Sequence, residues 1–341
     1  MAVTAVGKGQ VLLAHGDGGL LTRQLLGDLF LPLLDNPVLR RLEDAAVLTA
    51  DGCRLAFTTD SFVVSPLFFP GGDIGRLAVC GTVNDLAMVG ARPLFLSAGF
   101  ILEEGLELEV LERVVHSMRQ AAQEAGVHVV AGDTKVVERG RGDGLFINTA
   151  GLGLVPPGLY MGPEAVRPGD RLLLSGAVGE HELAVVLSRE SLGVETRLRS
   201  DCAPLNGLVA QITQSCPGAL HLLRDPTRGG VATVAREMAA ACGLDFYLEE
   251  ERIPLAEQTR ALCDLLGLDP LYLANEGKFL AVVEAGQAER VVQLCRSHPL
   301  GAGACLVGEV RPGRGRAYLV TTLGGTRPLE LLAGAQFPRI C

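Results

Sequence analysis

The sequence contains no tryptophan, and aromatic residues make up only 4% of its 341 residues. It also lacks runs of basic residues with interleaved aromatic side chains, and its net charge is −9. Both features argue against a nucleic-acid-binding surface, so we expect no nucleic-acid partner. Because 48% of the residues are apolar, the chain is expected to fold, with cores built from Leu, Val and Ala.

Cysteine patterns typical of disulfide frameworks or zinc sites are also missing. The nine cysteines form no CxxC-type pair and have no neighbouring histidine at zinc-site spacing. An apolar run near the N-terminus is interrupted at His15, too early for a signal peptide or a membrane span. We therefore expect a soluble cytoplasmic protein with reduced thiols and no membrane partner.

Short β-branched runs alternate with helical patterns along the chain. A helix closed by Gly90 is predicted at 73–89, and similar elements follow up to a stretch rich in Pro and Gly at 156–170. After this stretch the alternation of strands and helices starts again, and the length allows two domains. The sequence therefore predicts an α+β fold with domains at 1–155 and 156–321 and a flexible tail at 322–341.

The last residue of the sequence, Cys341, places a thiol at the end of this tail. Gly324, Gly325, Pro328 and Gly334 are expected to break any helix or strand that would fix the segment, which could extend over roughly 65 Å at most. We interpret the thiol as a carrier of a chemical group between two sites, activated by a partner enzyme. The alternative is a frayed tail whose thiol has no role.

Four aspartates lie where folding alone does not require them. Asp60 ends a predicted strand, and Asp85 projects from the apolar stripe of the helix at 73–89, where a carboxylate is costly unless a cation or strong donors meet it. Asp17 and Asp225 lie in glycine-containing loops. Together they suit a Mg²⁺ site that shares its ion with substrate phosphates. Taken singly, each aspartate could be a turn, cap or strand-end residue, or, for Asp85, the partner of a buried arginine.

Three short segments have features that favour phosphate binding. The first lets the backbone approach a ligand closely, the second supplies a hydroxyl and a cation after a strand, and the third opens a helix whose amides attract anions. No Walker A, kinase or Rossmann pattern is present, so a nucleotide would be bound in another way. The residues concerned are Gly16, Gly18 and Gly19; Asp133, Thr134 and Lys135; and Thr227, Arg228 and Gly229.

Motifs in this order resemble the ATP-binding superfamily of aminoimidazole ribonucleotide synthetase, which also includes selenophosphate synthetase and thiamine-monophosphate kinase. They are Thr59-Asp60-Ser61, Asn84-Asp85-Leu86-Ala87, Gly132-Asp133-Thr134 and Asp225-Pro226-Thr227-Arg228-Gly229-Gly230. Three further segments are similar to the HypE family of hydrogenase maturation factors, and the likeness covers essentially the full chain. They are His15-Gly16-Asp17-Gly18-Gly19, Asn275-Glu276-Gly277-Lys278 and Pro338-Arg339-Ile340-Cys341. One departure is Gly179-Glu180-His181-Glu182, where that family has a Gly-Asp-His-Gly pattern.

The resemblance implies a two-domain fold that dehydrates an S-carbamoyl group on Cys341 to a thiocyanate, with ATP and Mg²⁺ as cofactors. A carbamoyltransferase, HypF, would load the group, and a HypC–HypD complex would receive the cyanide for the iron of nickel–iron hydrogenase. A homodimer through the first domain is also implied. Charge developing on the phosphates would be neutralised by Mg²⁺ on the four aspartates. Glu276 and His181 lie near glycine-rich loops and are our candidates for the base, although both could instead make ordinary loop or cap hydrogen bonds.

Two other functions stay open. A small-molecule phosphotransferase of the selenophosphate synthetase or thiamine-monophosphate kinase type would use the same fold but would leave Cys341 unexplained. A non-catalytic thiol carrier would use Cys341 as a metal ligand, although one thiol without nearby His or Cys makes a poor metal site.

Overall fold

A computed structural model describes residues 9–189, 196–334 and 336–341. The chain begins with two short helices, α1 (Leu20–Leu25) and α2 (Leu31–Leu34), which are joined by a π-helical segment at Leu26–Phe30. Within these ranges, no helix has the length and apolar character that a membrane span requires.

The first domain is built on a five-stranded sheet in which β5 and β6 run parallel and the other neighbours run antiparallel. The strand order is β1-β2-β7-β5-β6, so that β1 and β6 form the two edges. A two-residue pair, β3 with β4, leads into the first long helix. The strands are β1 (Ala46–Ala50), β2 (Cys53–Phe62), β3 (Phe68–Phe69), β4 (Gly72–Asp73), β5 (Arg92–Glu103), β6 (His128–Val137) and β7 (Leu145–Leu154).

Two helices, α3 (Ile74–Met88) and α4 (Leu108–Ala125), cover one face of this sheet. Asp73 caps α3, since its side chain accepts hydrogen bonds from the backbone N–H of Gly75 at 2.7 Å and of Arg76 at 3.1 Å. The opposite face keeps apolar side chains exposed, and nearly all of edge strand β6 is exposed. The first domain therefore has one covered face, one open face and an open edge.

The second domain contains a seven-stranded mixed sheet, in which β10 and β13 run parallel and the other pairs antiparallel. The strand order is β14-β13-β10-β12-β8-β11-β9. Its strands are β8 (Arg171–Leu174), β9 (Leu220–Arg224), β10 (Asp245–Glu249), β11 (Leu280–Val283), β12 (Cys305–Arg311), β13 (Ala317–Val320) and β14 (Thr326–Pro328).

Helices cover both faces of this second sheet. On β8, Leu172 and Leu174 join one apolar core while Leu173 joins another, as expected for side chains that alternate across a fully covered strand. The helices are α5 (Glu180–Leu187), α6 (Asn206–Ser215), α7 (Gly230–Cys242), α8 (Glu257–Leu266) and α9 (Ala288–Arg296).

A buried side chain on α3, Asn84, joins the two domains. Its Nδ2 donates to the backbone oxygens of Ala203 and Glu276, each at 3.1 Å, and its Oδ1 accepts from Leu205 N–H at 2.8 Å. All of its main polar groups are thus satisfied by the second domain. The effect is to fix the backbone of Glu276 relative to α3.

The tail turns back onto the first domain. Its strand β14 pairs with β13, an element that the sequence analysis missed when it expected glycine and proline to prevent regular structure here. Further on, Ser65 N–H donates to Arg339 C=O and Val63 N–H donates to Cys341 C=O, both at 3.2 Å. The end of the tail is therefore docked in the protein interior, with Cys341 only 9% exposed.

Candidate active site

Three carboxylates from different parts of the chain meet in one cluster. Asp44 precedes β1, Asp85 lies on α3 and Asp225 follows β9, yet their ligand oxygens all lie within 4.8 Å of one another. Asp60, on β2, is close enough to share a hydrogen bond with Asp85. This aspartate cluster is the kind of all-oxygen site that suits a hard divalent cation.

Burial and mutual repulsion set the charge state of the cluster. Desolvation, together with the neighbouring carboxylates, raises the pKa of Asp85 and Asp225 well above the usual range. The pKa of Asp60 is also raised, chiefly by burial. Arg224 offsets part of this charge, since its Nε lies 2.9 Å from Asp44 Oδ1. The donor set therefore fits a cation that would favour the ionised carboxylates.

A cavity beside this cluster is lined by Asp44, Asp225 and the loop that opens α7. A second cavity surrounds the docked tail, and we call it the tail cavity. Arg228 and Thr233 line both cavities. The two cavities therefore share one wall, which includes the start of α7.

Cys341 lies at this shared wall. Its Sγ is 3.8 Å from Nη1 of Arg228, a weak contact that places a guanidinium against the sulfur. Burial is the main cause that raises the pKa of the thiol to about 12, and the Arg228 charge offsets only part of it. In the docked position the thiol is therefore protonated near neutral pH.

Arg189 holds the backbone of the tail. Its guanidinium donates to the backbone oxygens of Ser65 at 3.0 Å, Pro338 at 2.8 Å and Arg339 at 3.1 Å. Arg339 in turn donates to Val63 C=O at 2.9 Å. These bonds join the second domain, the tail and the first domain.

His181 contacts the tail next to Cys341. Its Nε2 lies 3.1 Å from Ile340 O, and since a carbonyl can only accept, this nitrogen carries the proton. Its Nδ1 then accepts from Ser200 Oγ at 2.8 Å. Burial lowers the pKa of the imidazole, which matches this neutral tautomer. Because both nitrogens are engaged, His181 is suited to positioning the tail rather than to accepting a proton.

Two buried glutamates lie close to the tail thiol. Glu276 is 2% exposed, and its pKa is raised well above the usual range by burial and by the charges of Asp225, Asp201 and Asp60. Glu182 lines the tail cavity and accepts a hydrogen bond from Ala274 N–H at 2.7 Å. Both can act as proton acceptors when ionised.

Two of the glycines near the N-terminus, Gly18 and Gly19, approach protein atoms closely. A side chain at Gly19 would collide with the carbonyl oxygen of Leu332 in the tail, and one at Gly18 would lie 2.9 Å from Cβ of Arg228, where φ is also +76°. Gly16 has no neighbouring atom within 4 Å of a Cβ position. The close approaches at Gly18 and Gly19 therefore shape the walls of the two cavities.

Some predicted site residues lie elsewhere. Asp17 is not part of the aspartate cluster but lines the tail cavity. Asp133, Thr134 and Lys135 lie exposed on edge strand β6, where Asp133 pairs with Lys135. The register places neighbouring Gly132 three strands from Asp60, roughly 14 Å across the sheet. Within one chain these residues therefore do not reach the cluster.

The sequence analysis missed Asp44, although it completes the cluster. It lies directly after Glu43 and before a strand, a place where acidic residues are common at the surface. Its one distinguishing feature, contact with Asp85 and Asp225, requires the folded arrangement of both domains. Thr227, Arg228 and Gly229, by contrast, lie at the start of α7 as expected.

Family comparisons identify the class to which this architecture belongs. Residues 42–155 match the model of the N-terminal domain of AIR synthase related proteins, and residues 167–320 match the model of their C-terminal domain. The chain is thus a member of the AIR synthase related class, and the predicted two-domain α+β fold is confirmed.

Comparison with individual relatives identifies the family within this class. The chain is 51% identical over 335 residues to the carbamoyl dehydratase HypE of Cupriavidus necator, covering 98% of this chain and 95% of that protein. A HypE–HypF complex structure matches with a TM-score of 0.86 at 46% identity, over 90% of this chain and 99% of that one. A HypE structure in complex with ATP matches with a TM-score of 0.81 at 47% identity, over 97% and 100%. The chain belongs to the HypE family.

Proposed function

We propose that this protein is an ATP-dependent carbamoyl dehydratase in hydrogenase maturation, which converts an S-carbamoyl group on its own Cys341 to a thiocyanate. The observation that carries this proposal is the docking of Cys341 against Arg228, whose loop also borders the aspartate cluster. A group on the sulfur would therefore lie where a nucleotide on the aspartate side can reach it. The cyanide would supply a ligand for the iron of nickel–iron hydrogenase.

The chemistry requires activation of a poor leaving group. The carbamoyl oxygen attacks the γ-phosphorus of ATP and ADP leaves, while the nitrogen loses one proton. The C–O bond then breaks, phosphate departs with that oxygen, and loss of the second proton completes the C≡N bond. The net change is removal of one water from the carbamoyl group, with ATP converted to ADP and phosphate.

The nucleotide would bind on the aspartate side of the shared wall. Thr227, Arg228 and Gly229 open α7, where backbone amides and the helix dipole favour phosphate groups. Asp44, Asp85 and Asp225, with Asp60 beside them, would hold Mg²⁺, which supplies charge neutralisation at the phosphates when bound. Repulsion within the cluster supports this assignment, because a cation relieves it.

The protein's own groups would orient the substrate and remove protons. Arg228 faces the sulfur, and His181 and Arg189 hold the tail backbone at Ile340 and Arg339, just before Cys341. Glu276 is our choice for the first base, since it is buried near both groups: its charge raises the pKa of Cys341, and the charge of Asp225 raises the pKa of Glu276 itself.

The partners and the assembly follow from the same reaction. A carbamoyltransferase of the HypF type would load Cys341, and a HypC–HypD complex would accept the cyanide. We further propose a homodimer through β6 and the open face of the first sheet, where Val129, Val130 and Val136 are exposed. Such pairing would also cover Asp133, Thr134 and Lys135 and bring them to a nucleotide. In sedimentation velocity, Val130→Lys should convert a dimer to a monomer, and a wild-type monomer would exclude this assembly.

The tail and the reduced cysteines support two smaller proposals. Residues 322–341 would act as a mobile arm that leaves this docked position for loading and delivery, which separates it in function from the domains at 1–155 and 156–321. All nine cysteines are free thiols in the structure, which supports a cytoplasmic location.

The decisive experiment follows the mass of the tail. The protein is loaded on Cys341 by a carbamoyltransferase and then mixed with Mg-ATP, and peptide mass spectrometry should show loss of one water from the modified residue with formation of one ADP. Loaded protein without ATP is the control. If loaded protein hydrolyses ATP without losing water, the proposal is wrong. A small-molecule phosphorylation that survives in Cys341→Ala would instead indicate a phosphotransferase.

A further inference from the structure

The dehydration proposed above removes two protons from one nitrogen, and this inference rests on that proposed function. Both protons would leave inside the tail cavity. Glu276 can take one of them. A second acceptor on the tail side of the substrate would allow both removals to occur in the same docked position.

Glu182 lies where this second proton acceptor would be needed. It lies in the first turn of α5 and is only 3% exposed. Its Oε2 accepts from Ala274 N–H at 2.7 Å, and its own N–H donates to Ala274 O at 3.3 Å, so the carboxylate has a fixed position. The side chain lines the tail cavity together with Cys341 and Arg228.

Its neighbours bring it close to the reacting group. His181 Nε2 donates to Ile340 O at 3.1 Å. Glu182 follows His181 in the chain and Cys341 follows Ile340, so both residues lie next to this hydrogen bond. The charge of Glu182 also contributes to the raised pKa of the Cys341 thiol. A carbamoyl group on that sulfur would therefore lie in a cavity with a buried carboxylate in its wall.

The protonation behaviour of Glu182 fits such a role. Burial raises the pKa of this carboxyl to about 7, while the bond from Ala274 N–H and the charge of Arg189 act in the opposite direction and that of Asp17 adds to the rise. The groups that face it with charge or a titratable proton are Asp17, Arg189, Cys263 and Cys341. Near neutral pH a large share of Glu182 is ionised and can take up a proton.

We infer that Glu182 is a second catalytic base, which accepts one of the two protons from the nitrogen of the S-carbamoyl group. In this step the N–H bond breaks, its electron pair becomes part of the C≡N bond as phosphate leaves, and the proton passes to the carboxylate. A purely structural role would need only the hydrogen bond from Ala274 N–H. A glutamine can accept that bond equally well but cannot take up the proton.

The test compares Glu182→Gln with Glu180→Gln in single-turnover dehydration of carbamoylated protein with Mg-ATP. Glu180 lies in the same helical turn, but it faces Lys278 at 4.0 Å, outside the tail cavity. Loss of a general base should slow Glu182→Gln by about 100-fold, while ATP binding and the thermal melting of the loaded protein stay close to wild type. Glu180→Gln should react at nearly the wild-type rate.

A pH profile provides the second readout. Because a base must be ionised, the wild-type rate should rise with pH through about 7, and Glu182→Gln should lose this rise. Equal rates and equal profiles in wild type and Glu182→Gln would overturn the inference while leaving the proposed function intact. If Glu182→Gln does not fold, a wild-type rate that is flat across this pH range would overturn it. Absence of any wild-type dehydration would instead refute the proposed function.

Discussion

Arg228 and Thr233 separate two cavities whose polar and charged groups are paired to different extents. On the tail side, Val63, His181 and Arg189 pair with the backbone of the tail. On the aspartate side, carboxylates that repel one another lie close together, and Arg224 offsets part of their charge. The comparison indicates that the tail side is held by paired groups, whereas the aspartate side retains repulsion between its carboxylates.

The largest expected effect comes from removing one charge of the cluster. Asp85→Asn keeps an acceptor for Thr58 Oγ1, which donates to Asp85 Oδ2 at 2.7 Å, but weakens cation binding. We expect the ATP-dependent dehydration rate to fall by about 1,000-fold or more, because charge neutralisation at the phosphates is lost. Single-turnover mass spectrometry measures this rate.

The same variant should be more stable than wild type when Mg²⁺ is absent. The pKa of Asp85 is raised in the folded protein, so its contribution to stability is present at low pH and lost as the pH rises through that pKa. At about pH 8, Asp85→Asn should melt a few degrees higher than wild type without Mg²⁺. Calorimetry that shows a lower melting temperature would contradict the idea that the cluster is repulsive.

On the tail side, Arg189→Ala should release Cys341. It removes three hydrogen bonds, each worth about 1 kcal/mol at this partly exposed site, so the open fraction of the tail should rise by roughly 100-fold. Trypsin cleavage after Arg339, measured by mass spectrometry, reports this opening. Arg290→Ala, which removes one bond to Ser215 O, is the matched control. Unchanged cleavage in Arg189→Ala would show that the other contacts of the tail hold it without Arg189.

A smaller effect is expected for His181→Ala. The substitution removes the bond to Ile340 O, worth about 1 kcal/mol, so tryptic cleavage after Arg339 should rise roughly fivefold. Because burial lowers the pKa of His181, acidification below 6.5 should favour the released tail in wild type, where the ring can become protonated. This acid-dependent increase should be weaker in His181→Ala, and an equal increase would assign it to other groups.

Thr233 tests the shared wall and should give the smallest effect. Its Oγ1 is buried without a hydrogen-bond partner among the described residues. Thr233→Val should leave the folding free energy within about 1 kcal/mol but weaken ATP binding roughly fivefold if the hydroxyl donates to a phosphate. Calorimetric titration with Mg-ATP measures this. Unchanged affinity would show that the Thr233 hydroxyl does not donate to the nucleotide.

The parts of the site that could be predicted from the sequence are those that a local sequence pattern indicates. The helix at 73–89, its apolar stripe and the position of Asp85 on that stripe follow from helical periodicity. The loop that opens α7 is recognisable by the same local rules. Each of these features depends on residues within a few helical turns.

Features that depend on contacts between residues far apart in the chain could not be predicted from the sequence. Asp17 has the stronger local signal because it lies between glycines, yet the fold brings Asp44 to the cluster and leaves Asp17 in the tail cavity. In the same way, β14 forms despite its proline because Thr326–Pro328 is itself the edge strand of its sheet and pairs only with β13. The docked tail, in turn, depends on Arg189, which lies about 150 positions earlier in the chain.

The protonated state of the docked thiol has one more consequence. In the unloaded protein, a thiolate beside a nucleotide could itself attack the γ-phosphoryl group, whereas a thiol whose pKa is about 12 is a poor nucleophile. An unloaded tail can therefore rest in the site without consuming ATP. The burial of this one sulfur thus keeps the unloaded tail from consuming ATP, so that ATP is used only after a carbamoyl group has been loaded on Cys341.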